Sequence, residues 1–505
     1  MIADVLNSID SFLWGTPFTL FVLVVGAYFT IGSKFFTIRH FGHIMKHTLG
    51  SMVSKEANTK QEGKISPFEA VCIAIGGSVG CGNIAGVATA IAVGGPGSVF
   101  WLWLWAFFGM MVKCVETTLG CYYRSKDEKG EYFGGSTYFM EKGIMKEMGH
   151  KFGGALAVAF GIGFVAQFLG GSQAYTISEV LNKSFGFNMI GVTLAYSVIL
   201  FYLIWKGTPR IAKFASKAVP VMCVLFILGG LGLIAVNIQN VPHVFAMIFH
   251  DAFTGTAAVG SFAGAGVQLA ISKGLSRSIN SNEAGQGSSP LIHGSADTVH
   301  PMRQGLWGSF EVFIDTLVVC SVTALAVLVT GEWETGIAGA SLTIAAYQSV
   351  YGQVGVAFIG IMAFLFGITT TTGWFTYYCA VINHALRYKP ILRDRIITIF
   401  KFVFPLPNII IVSMIVLTGN GPDLFWTIVD ITLVAPVFTN LLAILILSKK
   451  FWAIMRDYKA RYMGIGTVDP NFYVFYEDDP KIAKEAELIR EKVRLAKETA
   501  YSVKA

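Results

Sequence analysis

The stretch GGSVGCGN, residues 76–83, sits in the middle of an apolar run from about 67 to 92. Glycine inside a helix costs about 1 kcal/mol relative to alanine. Four glycines, a serine and an asparagine at mid-membrane depth therefore argue against a plain lipid-facing helix. Irregular backbone is tolerated at that depth only where it is buried in protein or lines a cavity. The stretch reads as a helix interrupted so that bare N–H and C=O groups can meet something polar.

The membrane setting follows from composition. Only 14% of the 505 residues are charged, against about 25% in a soluble domain, and the mean hydropathy is +0.60. Apolar runs long enough to cross a bilayer recur along the chain. Eleven spans are expected, at roughly 14–33, 67–92, 97–121, 153–181, 188–205, 218–236, 243–272, 305–330, 354–383, 396–417 and 423–447. The expected fold class is an all-α polytopic membrane protein. The first span, followed by a basic loop, reads as a retained helix rather than a cleaved signal.

The net charge of +7 does not point to nucleic acid, because its distribution follows the membrane. With the N-terminus outside, the loops 33–66, 121–152, 206–217, 273–303 and 387–401 and the tail from Lys449 hold 36 of the 38 Lys and Arg residues. That is the positive-inside pattern and puts the C-terminus in the cytoplasm. All seven cysteines fall in or at the end of expected spans with no CxxC spacing, which reads as free thiols. His40, His43 and His47 in the first basic loop allow a metal site, but a basic amphipathic segment on the membrane surface is the plainer reading. His293, Asp297 and His300 match no zinc spacing. The Glu/Lys-rich end of the tail suits a solvated helix. The chain thus divides into an N-terminal helix (1–36), a basic loop (37–66), two five-helix halves (67–237 and 243–447) and a charged tail (448–505).

An odd number of spans per half makes the two halves opposite in orientation. Each half opens on a glycine-interrupted segment, 76–82 in the first and 260–266 (GSFAGAG) in the second. Paired breaks at corresponding places are the sequence mark of a secondary transporter's binding site, whereas a lone glycine cluster can serve close packing. The N–H groups of Cys81, Gly82 and Asn83, opening the second half-helix, favour a carboxylate. The carbonyls of Gly76, Ser78 and Val79, closing the first, suit Na+ or an ammonium group. One broken helix therefore offers both groups that an amino acid zwitterion needs.

The ninth span contains GITTTTGW, residues 367–374. Four threonines surround the helix with hydroxyls, which either ligate a cation or bond back to their own helix. Trp374 lies one turn beyond Thr370 and can close a small site or simply pack. Gln173 can face the centre or bond within the core. Lys113 and Glu116 are spaced to pair with each other. Glu311 and Asp315 are the carboxylates a proton-coupled cycle would use, unless they are structural.

NIAGVATAI (83–91), GGPGSVFWLW (94–103), SNEAGQGS (281–288), HPMRQG (300–305) and FIDT (313–316) closely resemble the alanine or glycine:cation symporter family over about residues 15–450. The resemblance implies sodium-coupled uptake of alanine or glycine in a bacterial-type inner membrane. It also implies the five-plus-five inverted-repeat symporter fold (LeuT-like) of the neurotransmitter:sodium symporters, here with eleven transmembrane helices and one extra helix at the N-terminus. By the same resemblance, Gly76 and Val79 give carbonyls to sodium, and Thr369 and Thr370 add hydroxyls. Cys81, Gly82 and Asn83 bind the carboxylate, the Thr370 carbonyl meets the amine, Trp374 closes the pocket and Phe262 forms a wall. The chain departs from the family pattern at Cys81 (usually Thr), at Leu102 (usually Met) and at Cys379–Ala380 (usually Gly-Glu). No cofactor beyond Na+ as the coupling ion is expected. The rivals are a proton-coupled or glutamine-type symporter and, from another class, a multispan membrane enzyme.

Overall fold

The computed structural model describes residues 2–52, 65–170, 172–254, 266–418 and 423–502. Nearly all of them are helical, and a short hairpin pairs Ser125 with Phe133 and Lys126 with Tyr132. Among the described residues, seven helices are long and apolar enough to span a membrane: Asp4–Gly32, Gly97–Tyr122, Thr208–Val236, Pro301–Val329, Gln353–Ala385, Pro390–Thr418 and Thr427–Ile446. An eighth candidate is the pair Pro67–Ser78 and Gly82–Gly94, bent by 44° at the sequence GGSVGCGN. The remaining expected spans fall on shorter or interrupted helices. One is Phe152–Ala166, continued after a 3-10 turn by Ser172–Phe185; another is Met189–Ile204. The third is Val241–Thr254 and Val267–Asn282, with the glycine-rich 260–265 outside the described residues.

The first broken helix has a clear start and stop. Ser66 caps it, its hydroxyl accepting from the Glu69 N–H (3.1 Å) while Glu69 accepts from the Ser66 N–H (2.9 Å), and Pro67 occupies the first turn. Val79 leaves the helix with φ −71° and ψ 92°. The glycines permit close contact with Gln353–Ala385: a Cβ on Gly77 would lie 2.5 Å from the Tyr377 hydroxyl, and one on Gly80 2.5 Å from Thr370 Oγ1. Gly373 returns the fit, since a Cβ there would sit 3.0 Å from the Gly77 Cα. Packing and interruption are thus served by the same glycines.

A second visible interruption follows Val267–Asn282. Glu283 turns the chain with a left-handed φ of 57°, and Gly285 and Gly287 follow at 86° and 76°. This helix starts against the far end of the first one, where a Cβ on Gly94 would lie 3.4 Å from the Ala270 Cα. Lys273 and Arg277, which the charge pattern assigns to an inner loop, therefore lie within the helix. Arg277 is buried and donates to Asp430 (2.9 Å). Loop counting does not anticipate a basic residue neutralised inside the bundle by an acid so far along the chain.

Gly97–Tyr122 and Pro301–Val312 form the most intimate helix pair, because Gly305 and Gly308 sit directly on the Cys114 and Lys113 carbonyls. Across this contact Lys113 pairs with Glu311 (3.0 Å), both fully buried, and donates to the Asn282 carbonyl (2.7 Å). The i,i+3 pairing with Glu116 does not form. Glu116 instead accepts from Asn440 (2.7 Å) and from the Gly285 N–H (3.2 Å). The tail helix Pro480–Ser502 is docked as well as solvated: Lys497 bridges Glu128 (3.2 Å) and Asp394 (2.8 Å), beside the Arg393–Glu128 pair.

Candidate binding site

The two interruptions face one another across a cavity of about 100 Å3. Because one water needs some 10–15 Å3 on this scale, the space has room for roughly seven to ten water-sized groups, enough for a small polar ligand. Ser78 and Gly82 line it from the first break, Asn280 and Glu283 from the second, Gln173 from the fourth expected span, and Thr370, Trp374 and Tyr378 from Gln353–Ala385. A Cβ added at Gly82 would meet nothing within 4 Å, so this backbone faces open space.

Other residues singled out from the sequence stand behind the wall. The Cys81 N–H donates to Gln173 Oε1 (2.9 Å), which fixes the glutamine beside the break. The Asn83 N–H donates to the Gly80 carbonyl (3.0 Å), and its side-chain oxygen accepts from the Gly80 N–H (2.8 Å). Its amide then donates to Asp315 Oδ1 (2.8 Å). Asp315 also accepts from Ser281 (2.7 Å) and Thr316 (2.6 Å), so one buried carboxylate ties the first break to the helix leading into the second. Asn83 and Asp315 both lie in π-helical turns, Gly82–Gly86 and Phe313–Cys320.

The threonine run splits in function. Thr369, Thr371 and Thr372 bond to carbonyls of their own helix at 2.8–3.0 Å. Thr370 alone crosses to the break, donating to the carbonyls of Gly76 (3.0 Å) and Val79 (3.3 Å). Three oxygens thus converge, with Thr369 packed beside Gly76. Trp374 is held by a parallel stack on Phe164, centroids 5.2 Å apart and planes at 3°. Phe262 lies outside the described residues.

The sequence reading missed Glu283. Among the described residues it is the sole acidic or basic side chain lining the cavity, it is 1% exposed, and its carboxylate accepts from the Ser288 hydroxyl. The Lys113–Glu311 pair lies nearby, but no basic nitrogen comes within ion-pair distance of Glu283 among the described residues. A left-handed, non-glycine residue marks a place where structure holds a strained conformation, a common sign of a working site. The histidines of the same region turn elsewhere, His293 to Gln304 (2.7 Å) and His300 to Asp457 (3.2 Å). In the first basic loop, His43 meets the Tyr458 hydroxyl (3.0 Å).

Interrupted helices around a small polar cavity, within an apolar all-helical bundle, define a secondary transporter. The chain belongs to the sodium:alanine symporter family, whose model matches residues 1–470. It is 34% identical over 453 residues to the sodium/alanine symporter of Methanococcus maripaludis, covering 88% of this chain and 94% of that one. It is 35% identical to a probable sodium/glutamine symporter of Bacillus subtilis, covering 92% of each. A Na+-coupled sialic acid symporter of known structure shares the fold, with a TM-score of 0.50 at 12% identity over 97% of this chain and 96% of that one. The protein is a multi-pass membrane transporter and not an enzyme.

Proposed function

We propose that the protein is a sodium-driven symporter of a small neutral amino acid, alanine or glycine, working by alternating access. The observation that carries this reading is the convergence of the Gly76 and Val79 carbonyls and the Thr370 hydroxyl beside a cavity onto which Gly82 opens. In this reading Na+ takes the two carbonyls and the Thr370 oxygen, with Thr369 in support. The substrate carboxylate lies at the Gly82 amide, where the helix N-terminus favours negative charge. Ser78, Gln173 and Trp374 shape and close the pocket. Cys81 and Asn83 hold the break open from behind. Glu283 faces the substrate ammonium and completes the recognition of a zwitterion. Phe262 remains the proposed further wall.

The inverted halves 67–237 and 243–447, the extra N-terminal helix that makes eleven spans, and the outside N-terminus belong to the same proposal. The two carboxylates named from the sequence for proton coupling are engaged, Glu311 by Lys113 and Asp315 by three donors. One Na+ with a neutral zwitterion moves one net charge. At about 100 mV that supplies about 2.3 kcal/mol, on the order of 50-fold accumulation.

Thermal stability of the purified transporter tests this reading. Alanine at about 100 times its dissociation constant is expected to stabilise the protein by about 2.7 kcal/mol, and to do so in Na+ but not in choline. Equal stabilisation in both salts would remove the coupling ion from the site. No response to any small amino acid would remove the substrate.

A further inference from the structure

A second polar site lies outside the transport pathway, where the N-terminal span and the helix after the last span end at the same face. Tyr28 donates to Ser448 (3.2 Å), and Gly32 packs against the Trp452 ring. Beyond this contact is a groove of about 720 Å3 lined by Lys34, Arg39, His40, Trp452, Arg456 and Lys459. Among the described residues, no acidic side chain lines it and none of its four Lys and Arg residues forms an ion pair. Burial lowers the pKa of Lys459 below the ordinary lysine value, and the charges of Lys34 and Arg39 lower it further. Burial, Lys459 and Arg39 act on His40 in the same direction. These cations therefore repel one another without a counter-charge. Lys34 and Phe35 hold left-handed backbone, φ 58° and 56°, which directs the chain around the groove. Ile31, Phe35 and Ile38, on the same chain segment as Lys34 and Arg39, are 41% to 60% exposed and give that segment an apolar flank.

We propose that this groove binds the phosphate headgroup of an anionic membrane phospholipid. The phosphate supplies the missing negative charge, while the acyl chains cover the apolar flank and Trp452 lies at the headgroup level, as tryptophan does at membrane interfaces. A soluble phosphate would meet the same cations but would leave that flank exposed. The charge pattern places this face in the cytoplasm, where anionic lipid is attractive to basic clusters.

The test uses the full-length protein in a neutral detergent, titrated with phosphatidylglycerol, phosphatidylcholine or inorganic phosphate and followed by native mass spectrometry and melting temperature. The wild type is expected to retain phosphatidylglycerol selectively. Each basic side chain near a membrane surface contributes about fivefold. The K34Q/R39Q/K459Q variant is therefore expected to lose about 100-fold in phosphatidylglycerol affinity, with an unchanged melting temperature in detergent alone. A control, K481Q/K484Q/K492Q on the tail helix, is expected to lose none. If the triple variant folds poorly, R39Q alone is expected to lose about fivefold. Unchanged phosphatidylglycerol binding in the groove variants would overturn the proposal. So would equal loss in the tail control, or inorganic phosphate binding as tightly as the lipid.

Discussion

Replacing Glu283 by Gln is expected to raise the alanine concentration for half-maximal uptake by roughly 10- to 100-fold, the range for losing one hydrogen bond to a charged group. The side chain is buried, lines the cavity, and lacks an ion pair among the described residues. Gln keeps the size and the Ser288 contact but removes the charge. Two controls separate its role from that of scaffold. The melting temperature of the variant should stay near wild type, and its half-saturating Na+ concentration should change little. Discrimination between alanine and lactate, which carries a hydroxyl in place of the ammonium, should fall in parallel with alanine affinity. Wild-type affinity in Glu283→Gln would remove this carboxylate from substrate recognition. A loss confined to Na+ would reassign it to the coupling ion.

The largest structural effect is expected at Lys113. Lys113→Met leaves Glu311 buried without its ammonium, with the Ser289 hydroxyl at 2.9 Å and His293 at 3.6 Å still beside it. Breaking a buried pair on one side costs about 3–5 kcal/mol, whereas removing both charges is often nearly neutral. The melting temperature should fall by on the order of 3–5 °C. The double variant Lys113→Met with Glu311→Met should recover most of that loss. An unchanged melting temperature in the single variant would show that the pair does not hold these helices together.

Sequence and structure agree most closely where chemistry is local. An interrupted helix at residues 76–83 follows from glycine cost and membrane depth alone, and the two half-helices meet there at a 44° bend. The threonine run was legible as a set of hydroxyls, but not which one would cross the bundle. That depends on Gly77, Gly80 and Gly373 bringing two backbones together, nearly 300 residues apart in the chain. The sequence offers the Asn83 N–H to a carboxylate, whereas in the fold that N–H donates to the Gly80 carbonyl and the side-chain amide turns to Asp315. The π-helical turns on both sides set that direction, and no residue pattern announces them.

The stretch SNEAGQGS was legible as a family motif and, by its polarity, as a loop. Its place opposite the first break was hidden by the apparent inner charges Lys273 and Arg277. The distant Asp430 pairs with Arg277 inside the bundle, a contact that lies far from it in sequence. Likewise, spacing along one helix favoured Lys113 with Glu116. The cross-helix pair with Glu311 forms because Gly305 and Gly308 let the two helices touch. Features set by pairing across the bundle were thus the ones that sequence reading could not assign.

Uptake of labelled alanine into liposomes containing the purified protein is the most direct test of the whole account. An inward Na+ gradient should drive uptake above equilibrium, and a negative interior should increase it. Without Na+, a pH gradient should drive none. Equal uptake driven by the pH gradient alone, or no uptake of alanine or glycine under a Na+ gradient, would contradict it.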